Sequence, residues 1–212
     1  MEIPIDQYGY SETKLYEYDS VCLEPGVIFL VGCNGSGKTT IMHQIEKYVK
    51  HSDDLSNVAV IFFKCNESMN VVNETFMTGS DIELGATILS SSEGERMSMA
   101  LTRAFNRMWD QCKNSKIHSV IFMLDSLDSG VDIPTLRMIR GVLDETINIA
   151  KDEFDTELYI LVSANDYALV ENRKCLDVRT GKTLIFHSWT DYAEFCEESN
   201  KFKQDRYSED SL

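Results

Sequence analysis

Four runs of consecutive apolar residues predict the strands at the centre of this chain. They cover residues 27–31, 58–63, 120–124 and 158–162. Short runs that are apolar at every position are typical of strands buried on both faces of a parallel sheet. Between the runs, apolar residues recur at helical spacing after residue 40, from Met97 onwards and after Pro134. Strands that alternate with helices predict an α/β fold with a mainly parallel sheet flanked by helices.

The rest of the chain predicts a single domain. Its 212 residues suit one domain, assigned here to 1–203, and the segment 64–95 begins as a polar stretch without clear periodicity, as expected of a reduced insert. Residues 175–178 and 183–186 flank a Thr-Gly-Lys turn and predict a hairpin. A closing helix begins near Trp189. We expect the polar residues 204–212 to form a flexible tail.

The segment between the first apolar run and the first helix predicts a phosphate-binding loop. It fits the pattern G-x-x-x-x-G-K-[ST] at every fixed position. Glycines let such a loop turn its backbone N–H groups toward one anion, at the N-terminus of the following helix. Lys38 would reach the β- and γ-phosphates, and the Thr39 hydroxyl would hold Mg²⁺. The predicted nucleotide-binding residues here are Gly32, Asn34, Gly35, Ser36, Gly37, Lys38, Thr39 and Thr40.

A carboxylate follows the third apolar run. Asp125 ends that run, and an acidic residue at the end of a buried strand beside a phosphate-binding loop can hold Mg²⁺ through water. Asp125 is therefore the predicted Walker B residue and, with Thr39, a predicted metal-binding residue. The alternative is an aspartate that merely ends a strand.

Together with Ser92-Glu93-Gly94-Glu95, these motifs resemble the ATP-binding-cassette (ABC) ATPase superfamily, which includes transporter motors and the SMC-type and RecF-type repair ATPases. There a Ser-Gly-Gly-Gln/Glu signature opens a helix between the two Walker motifs; here Glu93 replaces the first glycine. The family's D-loop aspartate falls on Asp132. The resemblance spans about residues 10–190. It implies ATP and Mg²⁺ as ligands and a head-to-tail homodimer, in which Ser92 and Gly94 of one subunit complete the γ-phosphate site of the other.

Ser92 has a second interpretation. Ser-x-x-Glu before an apolar helix is also a capping box, in which Ser92 and Glu95 bind free N–H groups of the first turn. Gly94 favours the signature, because a glycine in a helix costs up to about 1 kcal/mol relative to alanine and is justified where backbone must approach a phosphate. The two interpretations are compatible.

Two departures from the family pattern predict weak hydrolysis. Ser126 occupies the position of the catalytic glutamate, and Asn165 replaces the switch histidine. Serine is not a suitable base, and loss of a general base typically costs about 10²–10⁴-fold in rate. Asp128 is the better alternative base and Asp132 another, although Asp128 could equally cap a turn with Gly130. Ser126, Asp128 and Asn165 are the candidate catalytic residues.

An aromatic residue near the N-terminus is the candidate for adenine stacking. By the family's spacing, Tyr10 fits best and Tyr8 lies close by. Either tyrosine could instead be a half-buried sheet residue.

Charge and cysteine usage restrict the partners. The net charge is −15, which opposes nucleic-acid binding unless basic residues cluster. Arg103, Arg107 and Lys113 could form such a DNA-binding cluster or a solvated helix face. The six cysteines contain no C-x-x-C pair, which predicts reduced thiols and a cytoplasmic protein. The sequence contains no run of about 18 apolar residues, so it predicts no membrane helix. Its N-terminus does not resemble a signal peptide.

Three functions remain open at this stage. The first is an ATPase that dimerises around MgATP, hydrolyses it slowly and acts as a nucleotide-gated clamp or regulator of an unidentified protein partner. The second is a small-molecule kinase, which would need a mobile and usually Arg-rich lid. The corresponding region, 64–91, contains one lysine and no arginine. The third is a DNA-repair or chromosome ATPase of the same superfamily.

Overall fold

The computed structural model describes residues 1–8, 14–65, 93–129 and 131–209. The strands in these ranges are β1 (Glu2–Pro4), β2 (Ser20–Cys22), β3 (Gly26–Val31), β4 (Val58–Lys64), β5 (Ser119–Asp125), β6 (Glu157–Ser163), β7 (Lys174–Asp177) and β8 (Thr183–Ile185). The α-helices are α1 (Lys38–His51), α2 (Glu93–Cys112), α3 (Ile133–Phe154), α4 (Tyr167–Val170) and α5 (Trp189–Glu209). A short 3₁₀ turn, Asp53–Leu55, precedes β4.

The main sheet has six strands in the order β4-β5-β6-β3-β7-β8. The first five are mutually parallel and β8 is antiparallel to β7. Every residue of β5 is buried, which explains why residues 120–124 form a continuous apolar run rather than an alternating one. The predicted α/β fold with a mainly parallel sheet is confirmed, and each of the four apolar runs forms one of its strands.

Helices cover both faces of this sheet. Successive strand residues point to opposite faces, so Ile121 and Met123 pack on one side, whereas Phe122 and Leu124 pack on the other. The first side includes Ile41 and Ile45 of α1 together with the small antiparallel β1-β2 sheet. The second side includes buried residues of α2, α3 and α5, namely Ala104, Met108, Leu136, Leu143 and Tyr192.

The C-terminal part contains one confirmed prediction and one difference. Strands β7 and β8 form the predicted hairpin, with Cys175 opposite Leu184. Helix α5 continues to Glu209, so it includes residues 204–209 of the predicted tail, whose flexibility stays a prediction. Across the described ranges, none of the helices combines the length and the apolarity needed to traverse a membrane.

Candidate nucleotide-binding site

The phosphate-binding loop connects β3 to α1. It follows Val31, the last residue of β3, and leads into Lys38, the first residue of α1. Gly37 caps the helix in the left-handed conformation, with φ 102°. The Tyr16 hydroxyl donates a hydrogen bond to the Gly37 carbonyl at 2.8 Å, and a Cβ added at Gly37 would lie 2.7 Å from that hydroxyl. Both the backbone and its neighbour therefore require glycine here.

The loop also contains an orphaned polar atom. The Ser36 hydroxyl is buried and has no hydrogen-bond partner among the described residues. A Cβ added at Gly32 would lie 2.4 Å from the same oxygen. A buried, unpaired hydroxyl between glycines fits a loop whose donors are directed at a ligand, because an unsatisfied buried hydroxyl is otherwise costly.

Lys38 extends along the loop and is 8% exposed. Its ammonium donates to the Gly32 carbonyl at 2.7 Å and to the Cys33 carbonyl at 3.2 Å. Burial lowers the pKa of Lys38, and the nearby carboxylates of Asp128 and Asp125 act in the opposite direction. The loop thus holds a buried cation where the sequence pattern predicts the phosphates.

The predicted metal ligands are in contact. The Thr39 hydroxyl donates to Asp125 Oδ2 at 2.9 Å. Thr39 lies in α1, which follows β3, and Asp125 ends β5. The two residues meet although β6 lies between β3 and β5 in the sheet. A hydroxyl beside a carboxylate is the donor set with which P-loop proteins hold Mg²⁺ together with substrate phosphates. The residues present therefore fit MgATP.

Ser163 is a site residue that sequence analysis missed. It ends β6, is 1% exposed, and its hydroxyl donates to Asp125 Oδ1 at 2.6 Å. The Ser163 hydroxyl oxygen in turn accepts a hydrogen bond from the Ser126 N–H at 2.7 Å. One hydroxyl thus fixes both the carboxylate and the following backbone. The only sequence signal was a small polar residue at the end of an apolar run.

We expect Ser163→Ala to lower the free energy of unfolding by about 1–3 kcal/mol, because it leaves a buried carboxylate oxygen and an N–H group unpaired. We also expect it to raise the Mg²⁺ concentration needed for half-maximal ATP binding, because Asp125 loses its orientation. Chemical denaturation and Mg²⁺ titration measure the two effects. Ser119→Ala, which removes a serine hydroxyl bound to Glu157 at 3.2 Å, is the control. Equal Mg²⁺ dependence in both variants would contradict the assigned role.

Ser126 immediately follows the Walker B candidate. Its backbone is left-handed, with φ 59°, and its side chain is half-buried. Its backbone groups bond Ser163 and Ser129. A hydroxyl therefore occupies the position at which the resemblance places a catalytic carboxylate.

The other two candidate catalytic residues contact each other. The Asp128 carboxylate accepts hydrogen bonds from the Asn165 N–H, from Asn165 Nδ2 at 3.1 Å and from the Asp166 N–H at 2.9 Å. The turn after β5 is thereby joined to the loop after β6. Asp132, the other alternative base, caps α3 by accepting a hydrogen bond from the Thr135 N–H. Hydrogen bonds with the Thr135 side chain and then with its N–H lower the pKa of Asp132.

Several predicted residues are not tested by these contacts. Tyr10, Ser92 and Gly130 lie outside the described residues. Gly94 falls within the first turn of α2, and its contact with a nucleotide stays a prediction. Asn34 and Gly35 are exposed on the loop, and Thr40 lies in the first turn of α1.

Comparisons with known proteins add little to this geometry. No protein-family model matches the chain, and no curated protein matches it. Among solved structures it is similar to Cdc6p from Pyrobaculum aerophilum, at 14% identity and a TM-score of 0.32. That match covers 69% of this chain and 34% of the Cdc6p chain, so the likeness spans about a third of that protein. The chain's own geometry therefore carries the argument: a mainly parallel α/β sheet, a phosphate-binding loop after β3 and the Thr39–Asp125 contact.

Proposed function

We propose that this protein is an ABC-type ATPase that binds MgATP, dimerises around it and hydrolyses it slowly, acting as a nucleotide-gated clamp or regulator. The observation that carries the proposal is the 2.9 Å contact between Thr39 and Asp125 at the end of an intact phosphate-binding loop. The free thiols of all six cysteines are consistent with a cytoplasmic location.

The chain's own groups would bind the triphosphate from several sides. The Lys38 ammonium would exchange its two carbonyl partners for phosphate oxygens, which are stronger acceptors because they are charged. The N-terminus of α1 would add its partial positive charge. Thr39 and Asp125 would hold Mg²⁺, which would supply positive charge to offset that of the phosphates.

Slow hydrolysis follows from the groups beside this site. Ser126 cannot act as a base, and the Asp128 carboxylate is already bound by three N–H donors. Asn165 uses its amide to hold Asp128. An amide at this position can donate a hydrogen bond to phosphate but cannot carry a proton away. The arrangement favours long-lived binding over rapid turnover.

The dimer is the part of the proposal that rests on the resemblance. Each chain carries a net charge of −15, so two chains carry −30 and repel each other at low salt. We therefore expect dimerisation to need MgATP and to strengthen as salt rises from low to physiological concentration, since salt screens the repulsion.

The test is the solution mass of the full chain without nucleotide, with MgATP and with MgADP, while phosphate release is followed in the same samples. A dimer in MgATP alone, with little phosphate release, would support the clamp. Ser92→Arg should retain nucleotide binding and lose the dimer. A monomer in all three conditions would overturn the head-to-tail dimer and favour the small-molecule kinase instead.

A further inference from the structure

One face of the C-terminal helix α5 lies against the phosphate-binding loop. Residues at positions i, i+4, i+7 and i+11 lie on one side of a helix. The Ser199 hydroxyl accepts a hydrogen bond from the Cys33 N–H at 3.0 Å, and the Ser199 carbonyl accepts one from the Cys33 thiol at 3.5 Å. Lys203 Nζ donates to the Asn34 carbonyl at 2.8 Å. The face comprises Tyr192, Cys196, Ser199 and Lys203.

Contacts away from the loop hold this helix in place. Tyr192 is 6% exposed and packs edge-on against Phe186, with ring centroids 5.2 Å apart. Phe195 contacts the same ring at 5.2 Å. Near the other end, the Arg179 guanidinium lies 4.6 Å from the centre of the Phe202 ring. Helix α5 therefore has contacts of its own that are independent of the loop.

These contacts fix the orientation of two peptide units in the loop. A trans peptide is planar, and its C=O and N–H point in opposite directions. The peptide between Gly32 and Cys33 is held at both ends, by Lys38 at the carbonyl and by Ser199 at the N–H. The second peptide unit joins Asn34 to Gly35. Because Lys203 binds its carbonyl, its N–H, which belongs to Gly35, must point away from α5.

We infer that Ser199 and Lys203 are positioning residues for phosphate binding. They hold the loop so that the Gly35 N–H is presented to the triphosphate of a nucleotide, and Lys203 adds a positive charge close to the loop. A Cβ added at Gly35 would lie 2.9 Å from Lys203 Nζ, which shows how closely this cation approaches the backbone. The inference rests on the proposed nucleotide binding. It adds to that site two residues of the C-terminal helix, Ser199 and Lys203.

The test is equilibrium binding of a fluorescent ATP analogue, with Mg²⁺, to the full chain. We expect Lys203→Met to weaken binding about tenfold and Ser199→Ala about fivefold, as for the loss of one charged and one neutral hydrogen bond. Lys203→Arg and Ser199→Thr keep the donor and the acceptor and should recover most of the affinity. Lys201→Met is the matched control, because Lys201 is exposed and lies about 200° around the helix from Lys203.

A second measurement separates positioning from a general loss of structure. Hydrogen exchange of the Cys33 amide should accelerate in Ser199→Ala, while the melting temperatures of the variants should stay close to that of Lys201→Met. If wild type binds the analogue and both variants bind it equally well, the inference is overturned. Failure of the conservative variants to recover affinity would overturn it too. If wild type itself does not bind, the proposed function fails and the inference fails with it.

Discussion

Replacing Lys38 by methionine should weaken MgATP binding at least about 100-fold and change the stability of the protein without nucleotide much less. The affinity should fall because, in the proposed complex, the ammonium would provide charge-assisted hydrogen bonds to two phosphates, each worth about 1.5–3 kcal/mol. Two effects on the fold oppose each other: the substitution removes a charge that is 8% exposed and whose burial lowers the pKa of Lys38, but it also leaves the Gly32 and Cys33 carbonyls without their donor. Calorimetric titration and thermal unfolding measure the two effects.

The effect of Lys38 on the free energy of unfolding depends on pH in a definite direction. Because the pKa of Lys38 in the folded chain lies below its ordinary value of 10.5, the unfolded chain binds more protons between those two values. Stability linked to Lys38 therefore rises with pH across that interval. Any stability advantage of Lys38→Met over wild type should shrink as pH approaches 10.5.

Lys47→Met is the matched control, since Lys47 is an exposed lysine on the same helix. We expect it to change neither nucleotide affinity nor the pH dependence by a measurable amount. A Lys38→Met protein that binds MgATP within threefold of wild type would remove Lys38, and with it the loop, from the proposed site.

The sequence predicts the central sheet because burial on both faces leaves a strong signal. In β5, where every residue is buried, the five residues 120–124 are all apolar. The short strands β1 and β2 were not predicted, because three-residue strands of which only the middle residue is buried leave no recognisable period. The continuation of α5 through residues 204–209 was not predicted, because polar composition alone does not distinguish a tail from an exposed helix end.

The predicted site was incomplete for a different reason. Motif spacing identifies Lys38, Thr39 and Asp125, because they belong to local patterns within or beside a strand. Ser199 contacts a residue 166 positions away in the sequence, and no local pattern encodes such a contact. Ser163 and Tyr16 were missed likewise, because their hydroxyls act on partners brought close only by the sheet.

The loop is therefore held from three separate parts of the chain. Tyr16 binds its last glycine, Ser163 orients the carboxylate that Thr39 contacts, and α5 fixes its first half. Preorganisation of this kind lowers the cost of ordering donors when a ligand binds. It also separates binding from chemistry, because none of these contacts supplies a base for hydrolysis.

Replacing Ser126 by glutamate should raise the rate of ATP hydrolysis about 100-fold, the lower end of what a general base contributes. The left-handed backbone at φ 59° costs a non-glycine residue about 1–2 kcal/mol, but serine already carries that cost. The hydrogen bond to Ser163 comes from the Ser126 backbone, so the substitution preserves it. Because the side chain is half-buried, a longer carboxylate can extend toward the nucleotide without entering the core.

Ser126→Gln is the matched control, since it has the same shape as the glutamate but no base, and it should hydrolyse ATP no faster than wild type. Adding Lys38→Met to Ser126→Glu should return phosphate release to background, which excludes a contaminating ATPase.

The MgATP dimer should be shorter-lived in Ser126→Glu than in wild type, because faster hydrolysis removes the nucleotide that stabilises it. Unchanged turnover with intact MgATP binding would mean that Ser126 is not at the catalytic position. Asp128→Asn would then test the remaining carboxylate, which already lies close enough to Lys38 to influence its pKa.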